Sequence, residues 1–288
     1  MDYTQLIPRH TTDARVEEIS RDSTHYLLSI PAGKADGYRL AQLDDYTHLN
    51  RGRFPLRFPA GLSLTARTSS SSIPGTWGFG LWNDPFGMSL GFGGSAFRLP
   101  ALPNAVWFFG ASEESYLSFR GIGAERSDEN IPRSAVEARA TCVNRASTVP
   151  PKGSGSAQSD EAANGFLAQS FRAPKFHPWL VPAGMALPFS RRTTRSLLGR
   201  VIEDEGVRLS ADVTEWHRYR LDWRETRVSF EVDDVLVFES HVSPHPPLGT
   251  VIWIDNQYAA FTPEGRIGFG VLENPEPAWL EVKDIEIK

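Results

Sequence analysis

The segment from Thr214 to Ser240, TEWHRYRLDWRETRVSFEVDDVLVFES, carries the clearest fold signal in the chain. Apolar residues recur at every second position on either side of Asp233-Asp234, at Val228, Phe230, Val232, Leu236 and Phe238. Two alternating runs around a short polar turn predict a β-hairpin with one buried face. The same alternation recurs in HYLLSI, LSLTARTS, YLSFRGIG, RIGFGVL and AWLEVKDIEIK. Strands so closely spaced predict antiparallel sheets packed face to face.

Two short segments have helical spacing instead. Residues 195–205, RSLLGRVIEDE, place four apolar side chains on one face, namely Leu197, Leu198, Val201 and Ile202. Thr193 or Thr194 can cap the start of this helix, and Gly206 suits its end. The second helical candidate is SDEAANGFLAQSF, residues 159–171. The predicted class is therefore all-β with one or two short helices.

Composition excludes several kinds of partner. The 288 residues include 30 Lys and Arg against 35 Asp and Glu, a net charge of −5. Because no basic run stands out, we expect no nucleic-acid partner. No segment approaches the roughly 20 apolar residues of a membrane span, so we expect no membrane partner. A single cysteine, Cys142, allows no intrachain disulfide, and the polar N-terminus lacks signal-peptide character, so we expect a cytoplasmic protein.

The composition changes over residues 125–175, which include STVPPKGSGSAQSDEAANG. This stretch is rich in Ser, Gly, Pro and Ala and poor in large apolar residues. A linker between two domains would have such a composition, but the strands on either side have similar character. We therefore predict a single domain over residues 1–288, with 125–175 as a loop or lid insertion. The sequence does not indicate an oligomeric state.

The hairpin segment resembles a motif of the family 16 glycoside hydrolases and their relatives in the concanavalin A-like lectin/glucanase superfamily. Their pattern W-H-x-Y-x-x-x-W … I-x-F-x-V-D-G is matched at Trp216, His217, Tyr219, Trp223, Val228, Phe230, Val232 and Asp233. Asp234 stands where the family usually has Gly. Upstream, GTWGFGLWND is similar to the family's G-x-W-P-A-x-W strand through Gly75, Trp77 and Trp82. The resemblance covers roughly residues 60 to 288, and it implies a jelly roll of two antiparallel sheets with a cleft on one of them.

The resemblance does not extend to the catalytic motif. Family 16 hydrolases carry Glu-x-Asp-x-(x)-Glu on the strand after the tryptophan-rich one, where this chain has WFFGASEESYLSFR. Glu113 and Glu114 are present, but Tyr116 and Ser118 stand where the further carboxylates belong. Neighbouring strand residues point to opposite faces, so Glu113 and Glu114 cannot both face one cleft without a bulge. The resemblance therefore implies the fold of these proteins but not their hydrolase activity.

The glycine-rich segment GTWGFGLWND, residues 75–84, supplies the first candidate site. We expect one face of this strand to fill the core, through Trp77, Phe79, Leu81 and Asn83. The other face carries Gly78, Gly80, Trp82 and Asp84. Glycines inside a strand often mark close approach by a ligand or another backbone, and a Trp beside them suits the flat face of a sugar ring. Trp82 and Asp84 are therefore candidates for a cleft.

The segment TVIWIDNQYAAF, residues 250–261, supplies the second candidate site. Trp253, Asp255 and Gln257 share one face of this strand by alternation. By the resemblance the strand lines the cleft, so that Asp255 or Asn256 contacts the ligand or acts as acid or base. A structural Asp in a turn or bulge explains the same residues.

Other polar residues have simpler explanations. A strand running into a polar turn accounts for Asp44, Asp45, Tyr46 and His48, which would matter if that turn reaches the rim of the cleft. His177 and His217 are isolated, and the histidines show no pair at zinc-ligand spacing, so no metal site is predicted. Relatives of this fold carry a calcium ion on the convex face, for which Asp284 is the candidate here. No other cofactor is expected.

Three functions stay open at this point. The first is a glycoside hydrolase-like enzyme on an intracellular oligosaccharide or glycoside. Its catalytic candidates are Glu114 (or Glu113), Asp255 and Asp84, and its substrate-binding candidates are Trp82, Trp107, Tyr116, Trp253 and Asn256. The second is a non-catalytic carbohydrate-binding protein with the same aromatic residues. The third is an enzyme on an apolar small molecule.

Overall fold

The computed structural model describes residues 6–85, 101–118, 164–174, 198–262 and 267–288, which form a β-sandwich of the jelly-roll type. Strands are numbered in chain order. The first sheet contains, in spatial order, β1 (Ile7–His10), β4 (Leu40–Asp44), β13 (Gly249–Asp255), β6 (Thr76–Trp82), β7 (Ala105–Ala111), β8 (Gly165–Arg172) and β9 (Glu203–Arg208). The second sheet contains β12 (Val235–Ser240), β11 (Val228–Val232), β10 (His217–Trp223), β5 (Ala60–Thr68), β16 (Ala278–Ile287), β3 (His25–Ile30) and β2 (Arg15–Ser20). A separate two-stranded ribbon joins β14 (Gln257–Phe261) to β15 (Ile267–Val271), and Arg51–Arg53 form a 3-10 turn.

The predicted hairpin is confirmed as β11 and β12, which pair antiparallel with Val232 opposite Val235. Asp233 and Asp234 both have positive φ angles, 52° and 62°. Two left-handed residues are what a two-residue type I′ turn requires, and Asp tolerates that conformation better than most residues. Val228 and Phe230 are fully buried, as the alternation predicts. Leu236 was expected on the same face, but the pairing shifts register between Phe230 and Glu231, so Leu236 lies opposite Glu231 and is exposed.

The main core lies between the two sheets. From the first sheet, Trp77 and Phe79 of β6 and Phe108 of β7 point inward. From the second sheet, Tyr219 of β10 and Phe230 of β11 meet them, with ring centroids of Phe108 at 5.1 Å from Tyr219 and 5.3 Å from Phe230. The core prediction for this face of β6 is thus confirmed for Trp77, Phe79 and Leu81. It is wrong for Asn83, which follows the strand, is half-buried and donates to the Leu102 carbonyl oxygen.

The helix predictions were largely wrong. Of residues 195–205, only 198–201 form a helical turn among those described, and Glu203–Arg208 is strand β9. The second helical candidate, 159–171, contains most of β8, which begins at Gly165. Both faces of β8 are buried, so its residues lack the polar alternation that marks a half-exposed strand.

The predicted insertion over 125–175 is shorter at its C-terminal end, because Gly165–Arg172 is an interior strand of the first sheet. Most of the remaining insertion lies outside the described residues. Among the described residues, no helix has the length and apolar composition needed to cross a bilayer.

Candidate functional site

The outer face of the first sheet, opposite the main core, carries a second aromatic cluster. We call it the outer cluster, and its rings belong to Tyr46, Phe54, Trp82, Trp107, Phe109, Phe171 and Trp253. The three tryptophans come from β6, β7 and β13, which are neighbours or separated by one strand. Their exposed fractions are 8%, 3% and 6% for Trp82, Trp107 and Trp253. The three predicted tryptophans thus lie together, but their rings are buried and do not line an open cleft among the described residues. Their role in ligand binding stays a prediction.

Glycines of β6 make room for these rings. A Cβ at Gly78 would collide with the carbonyl oxygen of Phe108 and would lie 2.9 Å from the Trp253 ring. A Cβ at Gly80 would lie 2.6 Å from the Cα of Trp107. Because β6 has no side chain at either position, the indoles of the two flanking strands can approach its backbone.

Trp82 and Trp253 lie parallel, with 5° between their ring planes and 6.0 Å between centroids. Each indole N–H is bound by the protein. Trp82 Nε1 donates to the Tyr46 hydroxyl at 2.6 Å, and Trp253 Nε1 donates to Thr76 Oγ1 at 3.0 Å. These two hydrogen bonds fix the orientation of the parallel pair.

Asp255 is a buried carboxyl group at the edge of the outer cluster. It accepts hydrogen bonds from Thr76 Oγ1 at 2.7 Å, from the Tyr38 hydroxyl at 3.1 Å and from the backbone N–H of Gln257 at 3.2 Å. Burial raises the pKa of Asp255 to about 6, although these hydrogen bonds oppose the rise. A carboxyl group with such a pKa can exist in either protonation state near neutral pH, as a general acid requires.

Asp84 lies at the other end of β6, two residues after the strand ends at Trp82. Its φ angle is +48°, and the Arg51 guanidinium donates to the carbonyl oxygens of both Asn83 and Asp84. Burial raises the pKa of Tyr46, and the negative charge of Asp84 raises it further. Asp84 is therefore close enough to act electrostatically on the tyrosine that binds Trp82. A catalytic role for Asp84 stays a prediction.

Asn256 was predicted to bind ligand, but its amide is used by the fold. Its Oδ1 accepts from the backbone N–H of Arg39 at 2.8 Å, and its Nδ2 donates to the carbonyl oxygens of Gly37 and Leu272. Asn256 is fully buried and joins three backbone segments. We assign it a structural role.

Tyr116 packs against the edge of the outer cluster and is half-buried. Its backbone forms a parallel bridge to Ala260 of β14, and its N–H donates to Ala259 O at 2.9 Å. A ligand-contacting role for Tyr116 stays a prediction.

Glu113 and Glu114 lie in the exposed turn after β7 and do not belong to the outer cluster. The outward positions of β7 itself are Ala105, Trp107, Phe109 and Ala111, so this strand presents no carboxyl group to the cluster. A catalytic role for Glu114 stays a prediction, and its position gives it no support.

The polar turn after β4 is structural in part. Asp44 accepts from the backbone N–H groups of Tyr46 and Thr47, from Thr47 Oγ1 and from Gln42 Nε2, a set that explains its burial. Asp45 accepts from the Thr250 N–H at 2.9 Å through Oδ1, but its buried Oδ2 has no hydrogen-bond partner within the described ranges. Burial raises the pKa of Asp45 to about 7.

The remaining predicted residues lie elsewhere. His48 is exposed, and His177 falls outside the described residues. His217 is bound by Asp233 Oδ2 and the Asp212 carbonyl oxygen. Asp284 is an exposed residue with a φ angle of 55° at an irregularity in β16. The described part of the chain contains no group of three or more His, Cys, Asp or Glu side chains placed to hold a metal, and the calcium at Asp284 stays a prediction.

Sequence reasoning missed Tyr38, Thr76 and Gln169. Thr76 and Tyr38 bind Asp255, and Gln169 is a fully buried polar residue facing outward on β8. Thr76 and Trp82 fall on the same face of β6 by alternation, so Thr76 could have been found from the sequence. Tyr38 and Gln169 reach the site through pairings between distant segments, which no local pattern reveals.

Comparison with solved structures returns β-sandwich proteins. A glycoside hydrolase family 16 endo-glucanase from Bacteroides ovatus has a TM-score of 0.44 and 9% identity, covering 100% of this chain and 96% of that chain. A GlcNAcα1-4Gal-releasing endo-β-galactosidase from Clostridium perfringens has a TM-score of 0.43 and 11% identity over 98% of this chain, which spans only 59% of the galactosidase. A legume lectin-like domain from Entamoeba histolytica has a TM-score of 0.41 and 9% identity, covering 98% and 89% of the two chains.

No protein-family model matches the chain, and no curated protein sequence matches it either. The solved structures named above include two glycosidases and a lectin-like domain. At TM-scores below 0.5, any functional assignment depends on the side chains of the outer cluster.

Proposed function

We propose that the outer cluster binds a carbohydrate, and that binding without hydrolysis is its function. One observation carries this proposal. Trp82, Trp107 and Trp253 lie together beside the glycines of β6 and among hydrogen-bonding side chains. A sugar ring has apolar C–H faces that stack on indoles and hydroxyl groups that need polar partners. A wholly apolar ligand would use the rings but would leave the polar groups without a role.

The enclosure of the cluster favours a small ligand. Trp107 and Trp253 are at most 6% exposed, whereas a polysaccharide needs an open groove that runs past its binding residues. We therefore propose an oligosaccharide or glycoside of a few rings. A location inside the cell is part of the proposal, and the single cysteine is compatible with a reducing compartment.

Hydrolysis is the second candidate, and the raised pKa of Asp255 favours it. A glycosidase needs a general acid that is protonated near neutral pH, together with a second carboxyl group about 5–10 Å away. Asp255 suits the first role. The strand expected to provide the second group, β7, carries Trp107 and Phe109 at its outward positions, so we rank binding above hydrolysis.

A titration of the protein with a defined sugar panel tests both candidates. The panel contains β-1,3- and β-1,4-linked gluco- and galacto-oligosaccharides of two to four units and p-nitrophenyl glycosides. Intrinsic tryptophan fluorescence and thermal shift report binding, and released p-nitrophenol or reducing ends report hydrolysis. We expect at least one sugar to bind, and Trp82→Ala to weaken that binding by roughly tenfold or more through the loss of one stacking face.

Trp279→Ala is the matched control, because Trp279 is a half-buried tryptophan on β16 of the other sheet. Its replacement should leave binding unchanged. Turnover that is lost in Asp255→Asn would move the hydrolase ahead of the binding protein. Failure of every sugar to bind wild type would overturn both candidates and favour an apolar ligand.

A further inference from the structure

Two polar atoms on the outer face of the first sheet have no hydrogen-bond partner within the described part of the chain. They are the indole N–H of Trp107 and the amide oxygen Oε1 of Gln169. Both residues are buried, with exposed fractions of 3% and 0%. The other two indoles of the cluster differ, since Trp82 and Trp253 donate to Tyr46 and Thr76. Trp107 is therefore the cluster tryptophan whose N–H has no partner among the described residues and could bind another molecule.

The two atoms belong to neighbouring positions of the sheet. Trp107 of β7 lies directly opposite Gln169 of β8 in the antiparallel register. Side chains paired in this way have Cβ atoms about 4.5–5.5 Å apart and lie on the same face. The same register places Gly80 of β6 beside Trp107 and Gly206 of β9 beside Gln169. The pair is thus flanked on both sides by positions without a side chain.

The orientation of the Gln169 amide is fixed by the protein. Its Nε2 donates to the carbonyl oxygen of Leu117 at 2.7 Å, which only the nitrogen end of the amide can do. Oε1 is therefore committed to being a hydrogen-bond acceptor. Trp107 Nε1 is always a donor. One donor and one acceptor thus belong to directly paired positions of neighbouring strands, and both are buried.

Buried polar groups in folded proteins nearly always have partners in the protein, in ordered water or in a ligand. In a candidate site, one ligand group that both accepts and donates a hydrogen bond would satisfy these two atoms. A hydroxyl group does so, because it accepts one hydrogen bond and donates another. An aliphatic or purely aromatic group does neither.

We propose that Trp107 and Gln169 together bind one hydroxyl group of the ligand, and that this pair selects a hydroxylated ligand over an apolar one. The indole N–H donates to the hydroxyl oxygen, and the hydroxyl proton is donated to Gln169 Oε1. This inference rests on the proposed function, since it assigns two residues of the same site to one part of a bound sugar.

The test uses the tightest-binding sugar of the panel and its 2-, 3-, 4- and 6-deoxy analogues. Calorimetry on wild type should show one analogue that binds at least tenfold more weakly than the parent sugar. Trp107→Phe and Gln169→Met should each weaken the parent sugar by about tenfold. Neither variant should weaken that one analogue further, because the hydroxyl that each residue binds is already absent.

Trp253→Phe is the matched control. It makes the same ring substitution in the same cluster, but the N–H that it removes is bound by Thr76. Its effect should be the same for the parent sugar and for every deoxy analogue. If Trp107→Phe also weakens all the sugars equally, Trp107 contributes stacking alone and the proposal is wrong.

A measurement on unmutated protein keeps the proposal testable if a variant fails to fold. The chain has 8 tryptophans, whose indole N–H groups give separate signals in a ¹⁵N NMR spectrum. Saturation with the parent sugar should shift the signal of Trp107 downfield and slow its exchange with water, and the one weak analogue should do neither. A parent sugar that binds without moving this signal overturns the inference but leaves the proposed function intact. A panel that yields no binding sugar overturns both.

Discussion

The two faces of the first sheet are built by alternate residues of the same strands, yet they differ in what surrounds their aromatic rings. On the inner face, Phe108 contacts the rings of Phe79, Tyr219 and Phe230. On the outer face, the neighbouring residue Phe109 lies among tryptophans whose surroundings include carboxyl, hydroxyl and amide groups. The inner face serves packing, and the outer face has the groups that recognition of a polar ligand needs.

The largest expected effect is on stability, and it comes from replacing two adjacent phenylalanines that lie on opposite faces of the first sheet. We expect Phe108→Ala to lower the free energy of unfolding by about 3–5 kcal/mol, since it opens a cavity in the main core. Phe109→Ala should lower it by roughly half as much, because the half-buried side chains around the outer cluster, including Leu117 and Leu198, can move into the space. Urea denaturation followed by circular dichroism measures both. Equal losses of unfolding free energy would mean that the outer cluster serves only as a second hydrophobic core.

The next effect concerns the buried acids near the outer face. The pKa of Asp255 is raised from 3.8 to about 6, so its protonated form stabilises the fold fully below about pH 4. That contribution is lost as pH rises through about 6. We therefore expect Asp255→Asn to gain about 2–3 kcal/mol of stability relative to wild type between pH 4 and pH 8.

Asp45→Asn provides the comparison, because the pKa of Asp45 is raised further, to about 7. The stability that Asp45→Asn gains relative to wild type over the same pH interval should be larger by about 1 kcal/mol, and the gain should extend to higher pH. Denaturation curves of the three proteins at several pH values measure the differences. Parallel pH profiles for wild type and Asp255→Asn would mean that this carboxyl group is not perturbed by folding.

The smallest expected effect on stability compares a tryptophan whose indole N–H is hydrogen-bonded with one whose N–H has no partner among the described residues. Trp82→Phe removes a hydrogen bond to Tyr46, whereas Trp107→Phe removes an N–H without a partner within the described residues. With the same ring contraction in both, we expect Trp82→Phe to cost about 1 kcal/mol more in unfolding free energy. Thermal denaturation of the two ligand-free variants provides the test. If Trp107→Phe is the more costly of the two, its N–H has a protein partner.

The sequence predicted the strands better than the site. Alternation identified the hairpin around Asp233 and the inward face of β6, because each depends on residues close together in the chain. It failed at β8, where Phe166 and Leu167 are buried on opposite faces and no polar face remains to mark the strand. The apolar run at Leu198 suggested a short helix over residues 195–205, but pairing of residues 203–208 with β8 makes them a strand.

For the site, the sequence predicted Trp82, Trp107 and Trp253 as binding residues, and these three lie together in the outer cluster, one from each of β6, β7 and β13. The polar residues were harder to assign. Asp255 and Asn256 are adjacent and both buried, but Asp255 faces Tyr38 and Thr76 while Asn256 binds the backbone. That difference depends on a segment more than 200 residues earlier, so a single strand pattern cannot resolve it.

The glycines of β6 have an evolutionary consequence. A side chain at Gly78 would displace the ring of Trp253, and one at Gly80 would collide with the backbone of β7. Descendants of this chain can therefore change what the outer face recognises by altering Trp107, Gln169 or Trp253 on β7, β8 and β13, or Trp82 on β6 itself, but not by replacing these two glycines. Homologues with different ligands should share both glycines.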